Sequence, residues 1–143
     1  PWEVAALLPI GKAKLSAAWT PVNEAKDPVY TDDSRRTKAM LRGAVKCSQV
    51  GETITVRWNG TTVGLSDIPH TGVMVVEAVV DGKKPIVVER KQREARRKYS
   101  RFWYLPAQAP GEHEVRFTIR QLPEGLSFYA GQILVIGTPL PAK

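Results

Sequence analysis

The sequence is short of the residues that catalytic and metal chemistry depend on. It holds one cysteine, Cys47, and two histidines, His70 and His113, in 143 residues. A single thiol excludes an internal disulfide, and it excludes thiolate zinc clusters, which need two to four cysteines. No Gly-x-Ser-x-Gly turn is present to present a strained nucleophilic serine, and no Gly-Asp-Ser turn either. Apolar runs are also short. Val73 to Val80 is the longest and is interrupted by Glu77, well below the ~20 residues of a membrane-spanning helix. The N-terminus carries no initiator Met and no signal-peptide pattern, and its linker-like start is the one expected of a fragment of a longer protein. No internal repeat or low-complexity tract occurs.

What the chain has in quantity is turn residues and short β-forming runs. Eleven Gly and eleven Pro punctuate it at brief intervals. Glu52 to Trp58 alternates Ile54, Val56 and Trp58 with polar positions, the period-two pattern of a half-buried strand. Asn59-Gly60 follows and predicts a hairpin turn, with Thr61 to Ser66 as the return strand. Val73 to Val80 is apolar almost throughout, which predicts a central strand covered on both faces. Asp81-Gly82 predicts a second hairpin, returning through Lys83 to Arg90. Arg101 to Leu105, His113 to Gln121 and Gln132 to Ile136 supply further strands. Residues 91–99 lack an apolar stripe and read as a solvated loop or a short helical turn. Lys38 to Cys47 reads as a strand interrupted by Gly43. The expected fold is all-β: one antiparallel, jelly-roll-like β-sandwich of about eight to ten strands over 1–143. Residues 1–33 form a leading segment and loop, and 34–143 the sandwich. Ile54, Val56, Val63, Leu65, Val115, Phe117, Ile119 and Leu134 are the expected core.

Charge is concentrated in one place. Residues 83–101 hold nine basic side chains against Glu89 and Glu94, which accounts for the whole net charge of +7. Such a run suits an anionic polymer or glycan. It equally suits decoration of an edge strand, where Lys and Arg discourage pairing with other chains. No zinc-finger, RNP-type or helix-turn-helix pattern accompanies it, so no nucleic-acid partner is expected.

Three constellations carry candidate chemistry. Ser66, Asp67 and His70 have the spacing of a compact hydrolytic group, but Ser66 and Asp67 face opposite ways if the strand reaches them. No catalytic residue is therefore assigned. Asp27, Asp32 and Asp33 share a loop and could hold calcium, yet solvated turn carboxylates are the default, and no metal or cofactor is expected. The aromatics are the third group. An exposed Trp or Tyr can stack on a sugar face, and Arg can donate to its hydroxyls. Arg101 and Trp103 share one strand face, with Tyr99 next in phase and Tyr104 on the opposite side. Trp103, Arg101, Tyr99 and Tyr104 are thus the candidate binding residues. The competing arrangement buries Trp103 and turns Phe102 and Tyr104 outward.

Three motifs in order complete the reading: Gly60-Thr61-Thr62-Val63-Gly64-Leu65, Val79-Val80-Asp81-Gly82-Lys83, and Ala109-Pro110-Gly111-Glu112-His113-Glu114-Val115. The set resembles the β-sandwich domains attached to secreted bacterial hydrolases, notably those following a catalytic domain of the SGNH (GDSL-type) esterase family. The likeness spans about residues 1–10 and 52–137 and lacks that family's nucleophile block. It implies a bacterial, exported setting (secreted, periplasmic or at the cell surface). It also implies a non-catalytic accessory role beside a hydrolase domain of the same longer chain, with polysaccharide as a possible ligand. The rival readings are an anionic-polymer binder using 83–101 and a stand-alone esterase using Ser66, Asp67 and His70.

Overall fold

The computed structural model describes residues 5–27, 42–68, 72–91 and 101–142. These hold ten strands and a single 3-10 turn, Ile10–Lys12. The strands are β1 (Ala5–Pro9), β2 (Lys14–Leu15), β3 (Thr20–Pro21), β4 (Val45–Cys47), β5 (Thr53–Asp67), β6 (Met74–Val80), β7 (Ile86–Arg90), β8 (Arg101–Tyr104), β9 (Gly111–Gln121) and β10 (Phe128–Leu140). Every pairing is antiparallel.

Two long strands make the sandwich. The first half of β5 pairs with β9, which continues to β6 and β7; its second half pairs with β8 on the same edge. On its other edge β5 meets β2 at Ile54 and Thr55, then β10 from Arg57 to Asp67. β10 carries β1 and β4 on its far side, and β4 carries β3. β5 and β10 therefore belong to both layers, and the sheet folds over one main core, with a small second cluster of Val22, Ala44 and Ile68. Seven of the eight residues expected in the main core belong to it; Leu134 is buried too, but on the outer face, because it alternates with the core residues Ile133 and Val135. Their apolar side chains contribute ~1.5–3 kcal/mol each when removed from water.

The Asp81-Gly82 turn is where the sequence placed it. Asp81 and Gly82 take φ of 52° and 69°, the left-handed pair of a two-residue hairpin. Lys83 N–H closes the turn on the Val80 carbonyl at 2.9 Å.

Asn59-Gly60 is not a turn. Both lie inside β5, which runs unbroken from Thr53 to Asp67, so the expected return strand is the same strand. Gly60 faces Gly137 where the β5–β10 register slips, between Ile136 and Gly137. A Cβ on Gly60 would run into the Ile136 carbonyl and lie 2.8 Å from Gly137 Cα. The glycines are there because two backbones touch, which is the other reason for glycine within a strand. Two smaller differences follow from packing. β6 alternates buried and half-buried residues instead of being covered on both faces. Gly43, at φ 74°, sits in a turn before a strand of only three residues, and 38–41 lie outside the described residues.

Candidate functional site

On the outer face of the β1–β10–β5–β8 layer, exposed side chains stand on the two flanking strands and the positions between them are buried. Register places Leu7, Leu134, Gly64 and Tyr104 in one row across the four strands. Leu7 is 54% exposed and Tyr104 46%, with Leu134 buried between them. The Tyr104 ring lies over Gly64: a Cβ there would come within 2.7 Å of its Cδ1. The glycine lets the ring settle onto the sheet. Gly64 falls within the first of the three motifs, and no local pattern there signals that an aromatic rests on it.

Trp103 takes the opposite face. It is 7% exposed, meets Phe117 edge-on at 5.6 Å, and its Nε1–H donates to Asp67 Oδ2 at 2.9 Å. Arg90 donates to the same carboxylate through Nε at 2.9 Å and Nη2 at 2.8 Å, with its guanidinium 5.7 Å from the indole ring centre. Asp67 is fully buried. A carboxylate taken from water must gain charge-assisted donors, and the indole N–H is one of them. That demand draws Trp103 inward, so it cannot serve as the expected exposed platform. Arg101 stands opposite Asp67 in the β5–β8 register. Tyr99 lies outside the described residues.

Ser66 and Asp67 do not assemble a hydrolytic group. β5 extends through both, so they face opposite ways. Ser66 is buried, and its Oγ accepts the Gln132 N–H at 2.8 Å, beside the register slip between Ala130 and Ile133. His70 lies outside the described residues, as do Asp32 and Asp33. Asp27 is engaged by Lys46 Nζ at 2.9 Å and by the Tyr129 hydroxyl at 3.1 Å. Among the described residues, no group of three or more His, Cys, Asp or Glu could hold a metal ion, and no helix is long and apolar enough to cross a membrane. Cys47 is buried, and that burial pushes its thiol pKa upward, which favours the protonated form.

The described part of the basic run is divided. Lys83, Lys84 and Lys91 are exposed, whereas Arg90 is turned inward to Asp67. Residues 92–100 lie outside the described residues.

One ionic arrangement was not anticipated. His113 Nδ1 is 2.6 Å from Asp81 Oδ2, and Nε2 is 2.6 Å from the Ala109 carbonyl oxygen. Only the imidazolium can donate to both acceptors at once. The Asp81 hydrogen bond and then the Ala109 carbonyl raise the His113 pKa above its ordinary value. Partial burial works upward on Asp81, but the bonds from His113 and the Glu114 N–H outweigh it and the pKa falls.

Structures already solved share this architecture. A family two carbohydrate esterase from Cellvibrio japonicus superposes with a TM-score of 0.69 at 12% identity, covering 97% of this chain and 36% of the esterase. A two-domain esterase (CEX) active on acetylated mannans, co-crystallized with mannopentaose, gives 0.63 at 14% identity, covering 99% and 38%. The carbohydrate-binding module CBM36, in complex with calcium and xylotriose, gives 0.56 at 11% identity, covering 90% of this chain and 97% of the module. The fold is that of these carbohydrate-active proteins. This chain spans little more than a third of each esterase but nearly the whole of the binding module. No protein-family model and no curated protein matches the sequence.

Proposed function

We propose that this chain is a non-catalytic accessory β-sandwich of a carbohydrate-active hydrolase, contacting glycan through the Tyr104 face. The observation that carries the proposal is the Tyr104 ring, nearly half exposed on β8, resting over Gly64 of the neighbouring strand. A ring so placed is pre-ordered for stacking on a pyranose, so little side-chain entropy remains to be lost on binding. The likeness in fold to carbohydrate esterases and a xylotriose-binding module supports the glycan class. The three sequence motifs support an SGNH-type esterase as the parent enzyme, and with it a secreted bacterial setting.

The test is binding to a panel of soluble xylan, mannan and galactan oligosaccharides by isothermal titration, with Tyr104→Ala beside the parent. A stacking anchor is worth at least ~1.4 kcal/mol, so the substitution is expected to weaken binding about tenfold or more. A variant that stays folded and binds as tightly as the parent refutes the Tyr104 face. It would point instead to this surface as the dock for the catalytic domain.

A further inference from the structure

The fold leaves a cleft at the place where β5 changes partners. β2 covers its edge only as far as Thr55, and β10 takes over at Arg57. The two strands part there, and the gap is a cleft of about 320 Å³. Its wall is apolar: Leu8, Val56, Ile133 and Leu140 all line it, and Val56 and Ile133 belong to the buried core. Among the described residues, the charged ones lining it are Lys12 and Arg57. Neither forms an ion pair among the described residues; Arg57 Nη1 donates to the Pro141 carbonyl at 2.9 Å. Among the described residues, no carboxylate lines the cleft. It lies away from the Tyr104 row and shares none of its residues.

We infer that this cleft is a binding site for a small amphiphilic carboxylate, an acid with a hydrocarbon body. The apolar wall takes the body, and Lys12 and Arg57 hold the head. The volume is at the lower end of the ~300–1,000 Å³ usual for small-molecule pockets, which fits a short chain rather than a long one. The two cations lining the cleft disfavour a cationic amphiphile of the same length, which sets the sign of the selectivity.

The probes are hexanoate, octanoate, octanol and octylammonium, added to the ¹⁵N-labelled chain below their micellar concentrations. Burial of one methylene is worth about 0.8 kcal/mol, so affinity should rise about fourfold per added carbon from hexanoate to octanoate. Shifts should centre on Val56, Arg57, Ile133 and Leu140. Octanoate should bind at least threefold tighter than octanol, and octylammonium should not bind. Lys12→Gln with Arg57→Gln should reduce octanoate to the affinity of octanol and leave octanol unchanged. Ala13→Leu, which fills the lining, should abolish both while the amide spectrum stays dispersed. Equal binding of octanoate and octylammonium, absence of any chain-length effect, or shifts centred on Tyr104 would each overturn the inference. So would no octanoate binding at millimolar concentration.

Discussion

Replacing Gly60 with Ala separates two explanations for the same glycine. If Asn59-Gly60 were an open hairpin turn, the cost would be that of a left-handed alanine, ~1–2 kcal/mol. In the structure Gly60 is not at positive φ, and it lies where β5 and β10 touch. The added methyl would meet the Ile136 carbonyl and remain 2.8 Å from Gly137 Cα. Carbon atoms pack at ~3.5–4.0 Å, so the strands must part by about 1 Å. The neighbouring pairs, Asn59 with Thr138 and Thr62 with Ile136, are ladder positions on either side of that contact. Opening two ladder hydrogen bonds costs ~1 kcal/mol each, and more where a donor or acceptor is left buried and unpaired. The expected loss is ~2–4 kcal/mol.

The assay is urea unfolding followed by tryptophan fluorescence, since Trp19, Trp58 and Trp103 are all buried. The midpoint should fall without a change in m-value. Two glycines serve as controls. Gly82, at φ 69° with open space around it, should cost ~1–2 kcal/mol as Ala. Gly11 also has open space but no positive φ, so Ala there should be neutral or slightly stabilising. A Gly60→Ala loss below 1 kcal/mol, or one no larger than at Gly82, would refute the backbone-contact argument.

Two other perturbations probe the ionic groups. Asp67→Ala leaves the Arg90 guanidinium and the Trp103 N–H without their carboxylate, and should cost ~3–5 kcal/mol in the same urea assay; a loss under 1 kcal/mol would show that the cluster contributes little. The His113–Asp81 pair gives a pH signature. The folded His113 pKa lies above its ordinary 6.5, so its stabilisation is complete below about pH 6.5 and is lost as pH rises through the folded value. The folded Asp81 pKa lies below 3.8, so its share is present above 3.8 and lost as pH falls through the lower folded value. Stability should therefore decline from pH 6 toward pH 9 in the parent and decline less in His113→Asn; equal slopes would refute the pairing.

Local pattern carried much of the architecture. Ile54, Val56 and Trp58 alternate because one face of β5 is buried, and Val115, Phe117 and Ile119 do the same in β9. Asp81-Gly82 was legible because a two-residue turn is set by its own φ preferences. Asn59-Gly60 carries the same local signal and means something else. Its glycine answers to Ile136 and Gly137, more than seventy positions along the chain, and no local pattern reports a contact at that range. The length of β5 was missed for the same reason: one continuous strand serves two layers only because β10 crosses with it.

The candidate site turns on a parity that period-two reasoning left open. Either Trp103 or its neighbours Phe102 and Tyr104 had to face outward, and composition favours neither. Asp67 decides it. As the last residue of β5 it faces inward, away from Ser66, and its buried carboxylate requires donors from within the core. Trp103 stands opposite Leu65, two residues earlier on that same face, and its Nε1–H reaches the carboxylate that a phenylalanine could not satisfy. Turning Trp103 outward would remove that donor and the packing on Phe117. Tyr104 is exposed as a consequence, and Gly64 is the position on β5 directly beneath it. The open aromatic on this sheet is thus fixed by a buried acid on the opposite face.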